Sequence, residues 1–351
     1  MNNDAEIYQI GNTWQKKVYR HMAAFLDLKG IVNYGITRDG NYYKHLLTGE
    51  DAQHNFITPV IFQLTKDRFK HHKAGDIKRA LTNTAASQPF CFNLFVYLNG
   101  KISLAKSLFS ILLKKPIDIQ HIEIEFTPNK CNHIEGFGRK GNESLGDQDV
   151  KQGTDADVAI FYHYGNREKG LLLIEFKFIE AEFSVCNSYR KKQAIRHYGD
   201  STQFYKVLVE DKKTNKNNQF LCGYNKYFNW NLTNASAVID SEKVTSSSGC
   251  PFRFGNNQLW RNILLAERIA ISRGCDEVAF WVFSSKENDA FLWKKNRVDV
   301  EENFRSILTP KGNTQFRKVH LEEVFKLLDE IVIDPDDNEW LVSMKEKYLI
   351  T

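Results

Sequence analysis

The sequence predicts an α/β protein with a mixed central sheet flanked by helices and with helical additions at both ends. Three observations predict this class. Strand-like apolar runs occur at Ile119–Phe126, Asp155–Tyr164 and Leu171–Glu182. A long amphipathic helix is expected at Asn257–Arg273, and a further apolar strand follows it at Glu277–Ser285. This order of strands, helix and strand is typical of one mixed-sheet core.

The first 86 residues are predicted to form a helical addition. Apolar residues recur at helical spacing in 13–28, and 59–69 predicts a second, shorter helix. The core is expected over residues 87–288. It opens with an apolar run, Pro89–Leu98, which is followed by an amphipathic helix, Ser103–Leu113, that ends near Pro116.

An insertion is predicted within the core at about residues 183–256. This stretch is polar and rich in Ser, Asn and Lys, and such a long segment is uncommon in a compact domain unless it is functional or inserted. Beyond the core, helical patterns in 289–308, 321–332 and 340–349 predict a C-terminal helical addition over 289–351. We expect the three parts to pack as one compact unit.

The charge distribution points to a polyanionic partner. The formal net charge is +5, and the sequence pI is ≈ 8.7. Lysine and arginine are concentrated in two segments, 66–79 and 190–216. Solvated helix faces are the alternative explanation for such runs. Together with the motif described below, the two segments favour nucleic acid as the partner.

Neither a membrane location nor secretion is expected. No run approaches the ~20 apolar residues of a membrane-spanning helix, and the N-terminus lacks the basic head and apolar core of a secretion signal. The six cysteines are scattered and form no CxxC motif. We therefore expect a cytoplasmic protein with reduced thiols.

A pair of charged residues lies inside an apolar strand. The run 171–179 reads LLLIEFKFI, with Glu175 and Lys177 in its middle. Their i, i+2 spacing puts both side chains on one face of the strand. Charges in such a setting are costly unless they are paired, hydrated or bound to a metal. Asp157 lies in the preceding strand, and an Asp followed by Glu-x-Lys on the next strand is typical of a metal-dependent phosphodiesterase.

These residue types suit a Mg²⁺ site. Mg²⁺ prefers octahedral oxygen coordination and is usually held by one or two carboxylates, which Asp157 and Glu175 supply. The backbone carbonyl of Phe176 is a candidate for a third ligand. Lys177 would either orient or deprotonate the attacking water, or act as a fixed cation beside the phosphorane.

Two further carboxylates are candidates for metal ligands. Asp155 has the same strand parity as Asp157 and could replace it, although Asp157 lies deeper in the strand. Glu125 could project into the site from a neighbouring strand. A solvated position on that strand is the alternative for Glu125.

The hairpin register decides whether the charged residues share a face. In an antiparallel hairpin, Asp157 lies on the same face as Glu175 and Lys177 when the residue numbers of two facing residues add up to an even number. Tyr164 opposite Gly170 satisfies this condition and would place Asp157 across from Lys177. A slip of one residue would put the carboxylates on opposite faces, and the sequence allows either register.

At these residues the chain resembles the PD-(D/E)XK nuclease superfamily, and in particular an uncharacterised bacterial branch of it. Asp157, Glu175 and Lys177 match the metal-binding Asp and the Glu-x-Lys of that superfamily one by one. The close match covers about 155–180, and a looser one extends from 87–95 to 258–266. The resemblance implies a restriction-endonuclease-like core, DNA as the substrate, and Mg²⁺ as the cofactor, with Mn²⁺ able to substitute.

The sequence departs from the superfamily pattern in two places. Ala156 stands where the family name has Pro, which the superfamily often tolerates, and an upstream helical Glu has no clear counterpart. Related exonuclease-type nucleases carry a Gln on the corresponding helix, which implies a substrate contact for Gln258. Arg261 lies one turn further on and is a candidate for a phosphate contact. A helix-surface ion pair is the alternative for Arg261.

The leading hypothesis is a metal-dependent nuclease that hydrolyses DNA in restriction, defence or DNA processing. One alternative is a catalytically inert nuclease-fold module that binds DNA or a protein. Another is a helical interaction protein in which the hairpin motif is coincidental. A homodimer is compatible with the resemblance, because nucleases that cut both strands of a duplex often dimerise.

Some nucleases of this superfamily hold an iron–sulfur cluster through four cysteines. The cysteines nearest the insertion are Cys186, Cys222, Cys250 and Cys275. Their spacing matches no compact cluster motif, so we expect ordinary thiols and no cluster.

Overall fold

The computed structural model describes residues 5–72, 77–131, 133–145, 154–184, 232–246, 255–295 and 297–350. These residues form a five-stranded mixed sheet, two small two-stranded sheets, and helices on both faces of the large sheet. The strands, in chain order, are β1 (Tyr34–Ile36), β2 (Tyr42–Leu47), β3 (Ile117–Phe126), β4 (Ala156–Tyr164), β5 (Glu168–Lys177), β6 (Glu277–Ser284), β7 (Lys294–Lys295), β8 (Val298–Asp299) and β9 (Phe316–His320).

The α-helices, numbered in the same way, are α1 (Thr13–Leu28), α2 (Pro59–His72), α3 (Ile77–Thr82), α4 (Ser87–Gly100), α5 (Ile102–Leu113), α6 (Ser241–Ser246), α7 (Asn256–Arg273), α8 (Asp289–Leu292), α9 (Val300–Arg305), α10 (Pro310–Gln315), α11 (Leu321–Ile331) and α12 (Pro335–Tyr348). Short 3₁₀ helices lie at Ala52–Asn55 and Lys286–Asn288. Among these described helices, none is long and apolar enough to cross a membrane.

The large sheet has the strand order β3-β4-β5-β6-β9. The first three strands are antiparallel neighbours, whereas β5, β6 and β9 run parallel. The carboxyl ends of these parallel strands therefore lie at one edge of the sheet, together with the amino end of β4. Asp157, Glu175 and Lys177 lie at that edge. The predicted fold class, a mixed sheet flanked by helices, is confirmed.

Each face of the sheet is covered by its own apolar core. The even-numbered residues Ile160 and Leu172 belong to the core shared with α4, α5, α11 and α12. The odd-numbered residues Phe161 and Leu173 belong to the core shared with α7 and α9. Because both faces of the sheet are covered, the odd-numbered and the even-numbered residues of β4 and β5 are both mainly apolar. The side chain of Glu175 lies on the same face as these odd-numbered residues, and its carboxylate is directed toward α7.

Helix α4 lies between the sheet on one side and α2 and α12 on the other. Its residues are buried along almost the whole length, from Ser87 to Leu98. A helix that is covered all round is apolar all round and loses the amphipathic pattern. The apolar run at 89–98 therefore carried no periodicity that would have identified it as a helix.

Five of the described strands, β1, β2, β7, β8 and β9, were not predicted, and β7 and β8 lie within residues 289–308, where a helix was expected. β9 pairs in parallel with β6, and it has the sequence FRKVH, in which Phe316 and Val319 are the buried residues. A five-residue run with two separated apolar residues gives too little pattern to predict a strand. The division into 1–86, 87–288 and 289–351 stays a prediction, and β9 shows that the last segment supplies a strand of the central sheet. Of the predicted insertion, residues 185–231 and 247–254 lie outside the described residues.

Candidate active site

The β4–β5 hairpin brings Asp157 and Glu175 to the same face. Paired residues run from Val158 with Ile174 to Tyr164 with Glu168, so their numbers sum to an even value, as the shared face requires. The specific pairing of Tyr164 with Gly170 was wrong. The actual register, continued by one pair, places Asp157 opposite Glu175 and not opposite Lys177.

The hairpin loop explains this shift in register. It contains only residues 165–167, and both Gly165 and Arg167 have positive φ, 50° and 77°. The backbone N–H of Arg167 donates to the carbonyl of Tyr164 at 3.1 Å. A three-residue loop with a left-handed residue is a common hairpin connection. The sequence pattern had predicted a longer turn, which would move the pairing by two residues.

Glu175 and Lys177 form a buried ion pair at the end of β5. The ammonium of Lys177 donates to Oε1 of Glu175, and the two residues are 9% and 3% exposed. Glu175 also accepts from Nε2 of Gln258 at 2.6 Å and from Nδ2 of Asn262. Three donors from β5 and α7 therefore fix the orientation of this carboxylate.

Asp157 lies on the neighbouring strand and accepts a hydrogen bond from the backbone N–H of Phe176 at 2.6 Å. Burial raises the pKa of the Asp157 carboxyl well above its ordinary value, and the charge of Glu175 raises it further. The ammonium of Lys177 and the N–H of Phe176 oppose this rise. Burial is therefore the main reason that the neutral form of this carboxyl is favoured, and the nearby carboxylates add to it.

The pKa of Lys177 is shifted in the direction that keeps it charged. Burial by itself lowers the pKa of the ammonium, but the carboxylates of Glu175, Asp157 and Glu180 outweigh burial and raise the pKa above its ordinary value. Lys177 consequently remains protonated at neutral pH, which favours the role of a fixed cation over that of a base.

Glu125 supplies a third carboxylate from β3. Pairing of Ile124 with Val158 and of Phe126 with Ala156 places Glu125 opposite Asp157. Its φ is 53°, in the left-handed region. This conformation costs a non-glycine residue roughly 1–2 kcal/mol and is typical of functional positions when it persists.

Hydrogen bonds hold both the side chain and the backbone of Glu125. Nε2 of Gln88 on α4 donates to its Oε1 at 2.6 Å. The guanidinium of Arg68 donates to the backbone carbonyls of Ile124 and Glu125 at 2.7 and 2.6 Å. Burial raises the pKa of Glu125 to about 7, and the charges of Asp155 and Glu175 contribute to the rise. Gln88 and Arg68 lower it in part.

A cleft of about 200 Å³ opens onto these groups. Asp157, Lys177 and Glu125 line it together with Gln88 and Cys91 of α4. Carboxylate oxygens are the donors that Mg²⁺ prefers. The donor set of the cleft therefore fits a hard divalent cation.

The chain matches the protein family described as Restriction Endonuclease associating with ARP (REase-ARP) over residues 20–349. The chain belongs to this family. Comparisons with curated proteins and with solved structures give no match. Membership of the REase-ARP family bears out the resemblance to restriction-endonuclease-like proteins and indicates a nuclease-type role.

Helix α7 of this REase-ARP protein carries both residues predicted for substrate contact. Gln258 contacts Glu175, as described, and its Oε1 accepts from the backbone N–H of Ser184 at 2.8 Å. Nε of Arg261 donates to Oγ1 of Thr154 at 2.6 Å, next to Asp155. Asn262 was missed by the sequence analysis. Its position four residues after Gln258, on the same side of the helix, was the signal that could have identified it.

Glu180 was also missed. If β5 continued as a regular strand, Glu180 would lie on the face opposite Glu175, but β5 ends at Lys177 and the chain changes direction there. The carboxylate instead lines the cleft and accepts from the hydroxyl of Ser87, from the backbone N–H of Phe178 at 3.1 Å and from Arg79 at 3.1 Å. Burial alone raises the pKa of Glu180, but Lys177, Arg79 and Ser87 outweigh it and lower that pKa.

The chain that leaves β5 is held by two other parts of the molecule. The indole N–H of Trp14 on α1 donates to the carbonyl of Phe178 at 2.8 Å, and Gln15 donates to that of Ile179 at 3.1 Å. Nδ2 of Asn288 donates to the carbonyl of Glu180 at 2.7 Å. These bonds fix the backbone immediately after Lys177.

The cysteines near the predicted insertion are only partly described. Cys275 is a free thiol, whereas Cys186, Cys222 and Cys250 lie outside the described residues. The absence of an iron–sulfur cluster stays a prediction.

Proposed function

We propose that this chain hydrolyses phosphodiester bonds in DNA with the help of a divalent metal ion, and that Asp157, Glu175 and Lys177 are its catalytic residues. The observation that carries the proposal is that adjacent strands place Glu125, Asp157 and Glu175 at facing positions, with the ammonium of Lys177 bonded to Glu175. Burial is the main cause of the raised pKa values of Asp157 and Glu125, and the neighbouring carboxylates raise them further. A cleft of that kind is the setting in which a divalent cation binds.

The carboxylates of Asp157 and Glu175 would hold Mg²⁺, or Mn²⁺ in its place, with Glu125 and Asp155 as further ligands. When bound, the cation supplies Lewis-acid stabilisation of the phosphoryl oxygen and lowers the pKa of a coordinated water. Gln258 and Asn262 keep Glu175 oriented before substrate arrives. Such preorganisation avoids a reorganisation cost during the reaction.

Lys177 would act as a fixed cation beside the phosphate. Because its pKa is raised by the neighbouring carboxylates, the ammonium keeps its protons at neutral pH. It can donate one hydrogen bond to Glu175 and another to a phosphate oxygen or to the attacking water. This arrangement stabilises the negative charge that develops on the phosphorane.

The surrounding charges favour a nucleic acid as the substrate, and the restriction-endonuclease family points to DNA. The partly exposed Arg79 lines the cleft, and α2 and α3 expose Lys66, Lys70 and Lys78 nearby in sequence. Lysine and arginine side chains next to a phosphodiester site bind the nucleic-acid backbone without sequence preference. With DNA as the substrate, we expect the protein to act in the cytoplasm, in restriction, defence or DNA processing.

The test is a cleavage assay with a matched pair of variants. Circular plasmid, linear duplex and single-stranded DNA are incubated with Mg²⁺, with Mn²⁺ or with EDTA. Asp157→Asn keeps the size of the side chain and removes its charge. Asp118→Asn is the control, because Asp118 lies on β3 with its side chain 63% exposed and paired with Lys106.

Wild type and Asp118→Asn should cleave DNA in the presence of metal and not with EDTA. Asp157→Asn should lose activity by on the order of 10²-fold or more. Cleavage that persists in Asp157→Asn would refute the site. Binding of DNA without cleavage under either metal would favour the catalytically inert module.

A further inference from the structure

A second group of potential metal ligands lies on β3, outside the cleft. His121 and Glu123 are two residues apart on the strand, and Cys131 follows in the loop after it. One ligand atom from each of the three lies within 4.8 Å of the others. Nε2 of His121 is 2.8 Å from Oε2 of Glu123, and Sγ of Cys131 is 3.7 Å from the same oxygen.

We propose that His121, Glu123 and Cys131 form a metal site that binds Zn²⁺. The set combines an imidazole nitrogen, a carboxylate oxygen and a thiol. Zn²⁺ takes such mixed ligands, whereas Mg²⁺ prefers oxygen alone. The site would therefore differ in metal preference from the cleft of Asp157 and Glu175.

The geometry needs only a small adjustment of side chains. Zn–ligand distances of about 2.0–2.3 Å in a tetrahedral site require ligand atoms roughly 3.3–3.8 Å apart. The three side chains are partly exposed, so they have room to converge, and a water molecule would complete the tetrahedral site. Binding converts the thiol of Cys131 to a thiolate and releases its proton to solvent, while His121 binds through a neutral nitrogen.

Arg68 orients the carboxylate of this site. Its Nη2 is 2.8 Å from Oε1 of Glu123, which leaves Oε2 facing His121 and Cys131. Arg68 is itself held by the carbonyls of Ile124 and Glu125. Hydrogen bonds to a ligating carboxylate typically strengthen metal binding. The positive charge of Arg68 opposes a cation, so the thiolate of Cys131 is the ligand that makes binding favourable.

A bound Zn²⁺ would connect the loop after β3 to the strand itself. The loop also contacts α7, where Arg273 donates to the carbonyls of Cys131 and Phe137. The metal would thus add a link between the edge strand and a loop that is already anchored. We expect an increase in thermal stability when the site is filled.

Co²⁺ is the probe that separates this site from the cleft. The full chain, freed of metal with EDTA and then desalted, is titrated with Co²⁺. Tetrahedral coordination with a thiolate gives a sulfur-to-metal charge-transfer band in the near ultraviolet and strong visible bands, which all-oxygen octahedral coordination does not give. One equivalent of Co²⁺ should produce these bands, and Zn²⁺ should abolish them.

Variants assign the bands to their ligands. Cys131→Ser should lose the charge-transfer band, and Glu123→Gln should weaken Zn²⁺ competition by about 10–100-fold. Asp157→Asn should keep the bands, and so should Cys91→Ser, which tests the thiol that lines the cleft. Without metal, Cys131→Ser should unfold at the wild-type temperature, and it should lose the stabilisation by Zn²⁺.

The proposal is overturned if wild type gives no charge-transfer band at stoichiometric Co²⁺, or if the band survives in Cys131→Ser. A band that disappears in Cys91→Ser or Asp157→Asn would place the thiolate-bound metal in the cleft and would equally overturn it. Because the readout is metal binding, these outcomes do not depend on whether the chain cleaves DNA.

Discussion

Replacing Glu125 by glutamine is expected to stabilise the metal-free protein at pH 8. Glutamine has nearly the same shape, and its Oε1 can still accept from Gln88, but it carries no charge in the buried cluster. The pKa of the Glu125 carboxyl is raised from an ordinary value of 4.5 to about 7, first by burial and then by Asp155 and Glu175. This difference corresponds to about 3 kcal/mol of destabilisation when the carboxyl is ionised.

The pH dependence follows from that shift. Below pH 4.5 the carboxyl is neutral in the folded and the unfolded chain, so Glu125 carries no penalty there. As the pH rises from 4.5 to 7, the unfolded chain ionises first and the stability of the folded state falls. Above pH 7 the full penalty is present. Glu125→Gln should therefore match wild type near pH 4 and exceed it at pH 8.

The assay is thermal unfolding in EDTA at both pH values. For a chain of this length, about 3 kcal/mol corresponds to an increase of roughly 4 °C in Tm at pH 8. Glu50→Gln is the control, because Glu50 is exposed on the surface and should change Tm at neither pH. A Tm of Glu125→Gln at or below that of wild type at pH 8 would refute the inference that burial and neighbouring carboxylates disfavour the ionised form of Glu125.

Three further variants test the surroundings of the site. Lys177→Met should lower the free energy of unfolding by about 3–5 kcal/mol in denaturant titrations, because it leaves buried carboxylates without their ammonium. Adding Asp157→Asn to this variant should recover part of the loss. Strictly additive effects of the two substitutions would contradict an interaction between Lys177 and Asp157. Arg79→Ala should raise KM for DNA and reduce its salt dependence by about one phosphate contact while kcat stays unchanged, whereas a loss confined to kcat would argue against phosphate binding. Trp14→Phe removes the hydrogen bond to the carbonyl of Phe178 and should lower the free energy of unfolding, measured by chemical denaturation, by about 1 kcal/mol. An unchanged free energy of unfolding would show that this bond is not needed to hold the backbone that follows β5.

The central part of the site could be predicted from sequence because its signal is local. Glu175 and Lys177 stand in a strand that is otherwise apolar at both parities, and Asp157 stands in the strand before it. Period-two alternation and burial are properties of a single strand, so charges that break the pattern are visible without any tertiary information. The even register was a condition that the motif required, and the structure meets it.

Other contributors could not be predicted because they come from distant segments or from irregular backbone. Glu180 contacts Ser87 and Arg79 only because the chain turns back after β5. Glu125 was a candidate ligand, but its left-handed backbone conformation, which the alternation of a regular strand does not describe, was not predicted. Asn262 lies one turn after Gln258 and could have been inferred from that spacing, but its hydrogen bond to Glu175 is fixed only by the packing of α7 against the sheet.

By itself, the sequence determined the fold class, the strands of the hairpin and the chemical character of the three charged residues, since these follow from local periodicity and from the cost of burying charge. The tertiary structure alone decided the three-residue hairpin loop, the place of β9 in the sheet, and the side chains that surround Glu175 and Lys177. The physical reason is that these features depend on packing between segments far apart in the chain, where many arrangements satisfy the same local pattern and only the complete set of contacts selects one.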